Sequence, residues 1–378
     1  MTRGSSREVA GSTRDDPAWR IAESVLLRAE GAIRLLDRLS PENGAAERER
    51  LRVALSRGQA AEPALRYRPL PDLGQVRASL ERLTLELAGR DPLSNEYAER
   101  ARELELEAEL VAASGSPGFR ALSQRRFDPR ALFAATDVQS LADEWLHAED
   151  DETPGEGVPS DDARHPESLL NVLRREIGAR GLPVRVELRP ALSAVAAAGE
   201  DLVAVRPGVL LSPERARRIA AHELAAHVLP RLAARSERIA LFRTGFRGAG
   251  EQEEGRALLV EQRGGFLRGA RRRELGLRHH AALAVRAGAS FSEVTRALGS
   301  AGAPLEQAVD LALRAARGGG LAREIVYLPA YLAVRAAFDL EPTLESYFLR
   351  GRASLAGSRL LTGLERVWAQ ASSSTTGA

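Results

Sequence analysis

His222-Glu223-Leu224-Ala225-Ala226-His227 decides how this chain is read. Two imidazoles bracketing a carboxylate on a helix are the ingredients of a hydrolytic zinc site. In the commonest zinc helix the histidines stand four residues apart, on one face, leaving the glutamate free to act as a base. Here they stand five apart. At about 100° per residue, a straight α-helix turns the two rings roughly 140° from each other, too far to share one ion. The spacing works only if the helix widens into a π-turn, and such turns concentrate at functional sites. Pro230 points the same way, because it cannot donate to the Ala226 carbonyl and its ring crowds that group. A bulged or terminating helix is therefore predicted at 226 to 230. The competing reading is a half-buried histidine pair on an Ala-rich helix, hydrogen-bonded to its neighbours.

Upstream, Ser212-Pro213-Glu214 has the order of a helix start: serine as N-cap, proline in the first turn, then an acid. Val184 to Leu188 alternates strictly and Leu202 to Val205 is a short apolar run, so both read as strands. An exposed strand edge beside a metal can pair with an extended peptide, the alternative being ordinary structural strands. Catalytic zinc usually takes three side chains, which calls for one more ligand. Glu254 is the candidate. It opens an expected second helix running to Glu261, entered from the Gly-rich loop Thr244 to Gly250. Glu261 lies on nearly the same face but about 10 Å along the axis, too far to bind the same ion, and is positioned to orient His222 or His227 instead. The alternative for Glu251, Glu253, Glu254 and Glu261 is a solvated acidic helix N-terminus, to which Glu251 is assigned.

The rest of the chain reads as α+β and predominantly α-helical. Helical periodicity begins near Trp19, breaks at Leu39 to Gly44, and resumes through Leu51 and Leu55. Further helices are expected at 72–89, 93–114, 167–179, 255–266, 272–287, 290–298, 304–316, 321–337 and 342–367. The expected organisation is a disordered tail (1–16), an N-terminal helical region (17–147), an acidic Pro/Gly linker or mobile loop (148–166), a core with a small β-sheet (167–367) and a second tail (368–378). Zero cysteines remove disulfides, thiolate sites and cysteine nucleophiles, leaving His and carboxylates for any ion. All 54 basic residues are arginine, yet 52 acids balance them to a net charge of +2, which argues for no nucleic-acid partner. Arg263, Arg268, Arg271, Arg272, Arg273 and Arg278 read as a solvated helix surface. His279 and His280 adjoin and so point about 100° apart, unsuited to chelating together. No secretory signal and no run approaching ~20 apolar residues is present, so the expectation is a cytoplasmic chain with no membrane partner.

These residues resemble the family named for its Gln-Glu-Gly-Leu-Ala motif, which includes the microtubule-associated tyrosine carboxypeptidases and whose bacterial members are commonly labelled flavohaemoglobin-expression modulators. The resemblance rests on His222, Glu223 and His227 with the extra residue, on Glu254-Gly255-Arg256-Ala257, and on the Gly245 to Gly248 turn. Leu39-Ser40-Pro41-Glu42-Asn43, Ser290 to Val294, Arg317-Gly318-Gly319 and Ile325 to Leu328 extend it, so that it covers residues 20 to 365. It implies a zincin-like metallopeptidase core with zinc on His222, His227 and Glu254. It further implies Glu223 as general base and a peptide or protein C-terminus as substrate. Tyr327 is the first candidate for stabilising the oxyanion and Arg323 the second. A terminal carboxylate calls for an arginine, with Arg314, Arg317 and Arg352 as candidates. Glu253 and Arg256 stand where the family has Gln and Leu, and Arg323-Glu324 where it has Lys-Asp. An arginine cannot replace a lysine that moves protons, which keeps open a non-catalytic, metal-binding regulatory or peptide-binding relative.

Overall fold

The computed structural model describes residues 17–149, 157–190 and 192–375. The tail expected over 1–16 lies outside these residues. Helices dominate, and their starts follow from local chemistry. The Asp91 carboxylate accepts from the N–H groups of Leu93 and Ser94 to open Pro92–Ala112. Ser168 accepts from Asn171 to open Leu169–Ala179, and Ser290 with Glu293 forms a reciprocal capping box on Phe291–Ser300. Two helices, Phe119–Arg126 and Ala135–Leu146, were not anticipated. No helix among the described residues is long and apolar enough to cross a membrane.

The helix expected over 342–367 is two, Leu344–Arg350 and Leu355–Thr375. The break falls at Gly351, where a Cβ would stand 2.5 Å from the Phe242 carbonyl oxygen. That carbonyl accepts from the Arg352 N–H at 2.9 Å, and the Arg352 carbonyl accepts from Phe246 at 3.1 Å. The last helix continues to Thr375, through most of the segment expected to be a tail.

Among the described residues, five short strands lie between the helices Ala135–Leu146 and Pro213–Ala221. β1 (Val158–Pro159) pairs antiparallel with β5 (Leu210–Leu211), so the end of the expected linker is ordered against the entry to the histidine helix. β2 (Arg185–Leu188) runs parallel to β4 (Leu202–Val205), and β3 (Ala196–Ala198) runs antiparallel on the other side of β4, giving the order β2-β4-β3. β2 and β4 match the predicted strands. β3 was missed because three alanines carry no alternation.

Two apolar clusters result. The smaller packs Leu169, Leu173 and Ile177 against Val203, Val205, Ala220, Leu224 and Val228, seating the sheet on the histidine helix. The larger draws on both sides of the 148–166 segment: Trp19, Leu26 and Tyr97 share it with Phe242, Leu258, Tyr331 and Phe348. Each fully buried leucine in these clusters contributes roughly 1.5–3 kcal/mol. The histidine helix thus lies where the small sheet lobe meets the helical bulk.

Candidate metal centre

Ser212 accepts from the Arg215 N–H at 3.2 Å and launches an α-helix over Pro213–Ala221. From His222 to Val228 the helix is π, with the Leu229 N–H donating to the Leu224 carbonyl five residues back. It returns to α over Leu229–Ala234. The widening therefore begins at His222 rather than at 226, and the helix does not end near Pro230. Proline is tolerated there because it falls in the first turn of the restarted α-segment. The Ala226 carbonyl, which Pro230 cannot serve, accepts from Arg256 Nη1 at 3.2 Å.

The extra residue per turn brings the two rings together, with centroids 5.3 Å apart. Glu254 arrives from the helix Ala249–Arg263, with its Oε2 3.7 Å from His222 Nε2. One ligand atom from each of His222, His227 and Glu254 lies within 4.8 Å of the other two. Gly255 makes this approach possible. A Cβ there would sit 2.5 Å from the carbonyl carbon and oxygen of Ala330, so only glycine lets this helix lie against Tyr327–Leu340.

Each histidine is backed by a carboxylate. Glu261 has no exposed surface and stands 2.8 Å from His222 Nδ1, which turns Nε2 towards Glu254. Glu261 also accepts from Arg271 at 2.7 and 2.8 Å and from Arg218 at 3.4 Å. Burial raises its pKa, but Arg271, His222 and Arg218 outweigh burial and hold it well below the ordinary range. Behind His227 stands Glu253, 3.6 Å from Nδ1, an ion-pair rather than hydrogen-bond distance. Arg352 lies 3.3 Å and Arg231 3.9 Å from Glu253. Burial again raises the pKa, and the cations with His227 more than reverse it, to about 2. For Glu254 itself, Arg323 leads the groups that overcome burial and lower the pKa.

Several sequence expectations need correction. Glu251 is buried and paired with Arg126, not solvated. Within the basic run, Arg271 is buried on Glu261 and Arg278 pairs with Glu274, because both point inward from Gly269–Ala287. Glu253, offered only as a solvated carboxylate and as a departure from the family motif, is buried behind His227, and Arg218 and Arg231 were not singled out. In agreement with the sequence reading, His279 and His280 do not converge, their rings lying 6.4 Å apart at 88°. His280 pairs with Asp143, and burial takes His279 down to about 4.

Glu223 lies between the histidines with its Oε2 accepting from the Ala198 N–H on β3 at 2.8 Å. Its other oxygen has no protein partner among the described residues. Arg231 Nη1 donates to the Ala198 carbonyl at 2.6 Å, so both peptide groups on the edge at Ala198 are tied to the histidine helix. The Tyr327 hydroxyl has side-chain partners, Arg323 Nη1 at 3.1 Å and Arg314 Nη2 at 3.5 Å, where a core tyrosine would find a backbone partner. Arg323 Nη2 reaches Glu254 Oε1 at 3.3 Å. Ala322, just before it, holds φ at 41°, a strained conformation of the kind that clusters at functional sites. Arg314 is paired with Glu324, and Arg352 with Glu30 at 2.6 Å as well as Glu253.

Two imidazoles and a carboxylate, each with its far side occupied by a charged partner and a free glutamate oxygen beside them, form a donor set suited to a divalent cation. The comparison with family models agrees: the chain belongs to the microtubule-associated tyrosine carboxypeptidase family, whose model matches residues 55–366. Membership supports a carboxypeptidase-type activity. Comparison with curated proteins and with solved structures gave no match.

Proposed function

We propose that this chain is a zinc-dependent carboxypeptidase with a zincin-like core, removing a tyrosine-like residue from the C-terminus of a peptide or protein. The supporting observation is the convergence of His222, His227 and Glu254 despite an i+5 spacing, made possible by the π-turn. The donor set of two nitrogens and one carboxylate oxygen fits zinc and leaves room for substrate. When bound, zinc supplies the Lewis acidity that makes water reactive near neutral pH.

The chain's own residues supply the rest. Glu223, steadied by the Ala198 N–H, presents its free oxygen to take a proton from the attacking water and returns it to the leaving amine. Tyr327 and Arg323 offer O–H and N–H donors to the developing oxyanion. Arg323 also neutralises the Glu254 oxygen turned away from the histidines. Paired in this way, Arg323 acts as a fixed cation and not as a proton carrier, so its replacement of the family's lysine leaves proton transfer to Glu223.

Purified protein should carry about one zinc per chain by elemental analysis and release a C-terminal tyrosine from a short peptide. Glu223→Gln should keep the metal and lose release by more than about 100-fold. Full metal loading without hydrolysis in the unsubstituted protein would instead favour the non-catalytic metal-binding relative.

A further inference from the structure

Almost every arginine around the site has its counter-charge: Arg323 has Glu254, Arg314 has Glu324, Arg352 has Glu30, and Arg218 and Arg271 share Glu261. Arg256 and Arg317 do not, and Arg256 is committed to the Ala226 carbonyl. Arg317 is 7% exposed, yet among the described residues no carboxylate lies within ion-pair distance, and Glu324 acts on it only from farther off. Its Nε donates to the Arg314 carbonyl at 3.2 Å and its Nη1 to Ser193 Oγ at 3.3 Å, leaving Nη2 without an acceptor among the described residues. A buried cation lacking an anion is costly, so the arrangement is that of a site awaiting one.

A second donor stands beside it. Gly318 N–H donates to the Tyr67 hydroxyl at 2.7 Å, and the phenolic proton has no acceptor among the described residues. The position is also informative. Ser193 lies in the loop entering β3, the strand that holds Glu223, while Arg314, one turn before Arg317, touches the Tyr327 hydroxyl. Arg317 therefore stands between the edge strand and the oxyanion donors. Its backbone is non-helical, at φ −48° and ψ 144°, which takes the residue out of the helix that carries Arg314.

We propose that Arg317 and Tyr67 form the subsite for the terminal carboxylate of the substrate, a proposal that rests on the carboxypeptidase reading. One cation and one neutral hydroxyl match a single negative charge, as a terminal carboxylate carries; a phosphate dianion would be left half-neutralised. The subsite makes hydrolysis exopeptidic, because an internal peptide bond offers nothing to Arg317.

The test measures binding in the zinc-loaded Glu223→Gln protein, by fluorescence anisotropy, of one labelled peptide ending in a free carboxylate and its C-terminal amide. The acid should bind roughly 10- to 100-fold more tightly than the amide. Arg317→Gln added to this background should abolish the preference, Arg317→Lys should restore part of it, and Tyr67→Phe should reduce it. Because Arg317 has no carboxylate in contact, Arg317→Gln should lower Tm only slightly, through its bonds to the Arg314 carbonyl and Ser193, whereas an arginine in a structural ion pair would cost more. An acid preference that survives Arg317→Gln overturns the subsite and leaves the carboxypeptidase reading standing. Equal binding of acid and amide before any change at Arg317 overturns both. Should Arg317→Gln fail to fold, Arg317 is structural and the subsite falls, unless Tyr67→Phe, which removes only a hydroxyl, by itself reduces the preference.

Discussion

The two histidines are supported differently, although both have a glutamate behind Nδ1. On the His222 side, Glu261 is sealed from solvent, makes a 2.8 Å contact and sits between two arginines. On the His227 side, Glu253 stands at 3.6 Å and divides itself between Arg352 and Arg231. The first is a rigid support that selects a tautomer; the second is a looser electrostatic one that links His227, through Arg352 and Glu30, to the helix Pro17–Ile33. A metal on this site would be oriented by His222 and tolerant at His227.

Glu261→Ala should break the comparison most severely. It frees the His222 ring and leaves Arg218 buried without a counter-charge, which should cost about 3–5 kcal/mol in urea unfolding and about 10- to 100-fold in zinc affinity. Acid should act on both sides of the molecule next. Glu253 and Glu324 both have folded pKa values of about 2, burial being outweighed by their cationic partners, against 4.5 when exposed. Carboxylates depressed in this way stabilise the fold above pH 4.5 and lose that contribution as pH falls towards 2. Urea midpoints of metal-free protein at pH 6 and pH 3 should differ by on the order of 2 kcal/mol per group. Glu253→Gln should keep the fold, shrink that acid sensitivity and weaken zinc less than tenfold, because a 3.6 Å contact orients the ring only loosely. The smallest effect should come from Arg256→Leu. It removes a donor to the Ala226 carbonyl but also a buried charge, for a net change in Tm equivalent to about 1 kcal/mol or less.

What could be read beforehand follows the same division. That the helix must widen or end near His227 was legible from spacing alone, since a straight α-helix turns His222 and His227 apart. Ser212, β2 and β4 were legible because capping and alternation are local. Glu261 was legible by its phase on a helix. Glu253 was not: it stands one position from Glu254, and only the tertiary packing that brings His227, Arg352 and Arg231 around it shows its place. Arg218 and Arg271 were hidden among 54 arginines, and nothing local separates a buried guanidinium from a solvated one. The starting point of the widened turn was misplaced because Pro230 marks where the backbone loses a donor, not where the strain is taken up.

The added residue in the histidine helix also fixes what lies downstream of it. Removing Ala225 would produce the commoner His-Glu-x-x-His spacing, but every later residue of that helix would rotate by about 100° and shift by about 1.5 Å. Arg231 would swing off the Ala198 carbonyl, Val228 would leave the sheet cluster, and Arg256 would face a different carbonyl. The helix is thus held in two phases, one read by the convergence of His222 and His227 with Glu254 and one by the strand edge. A one-residue deletion reconciles the first only by uncoupling the second.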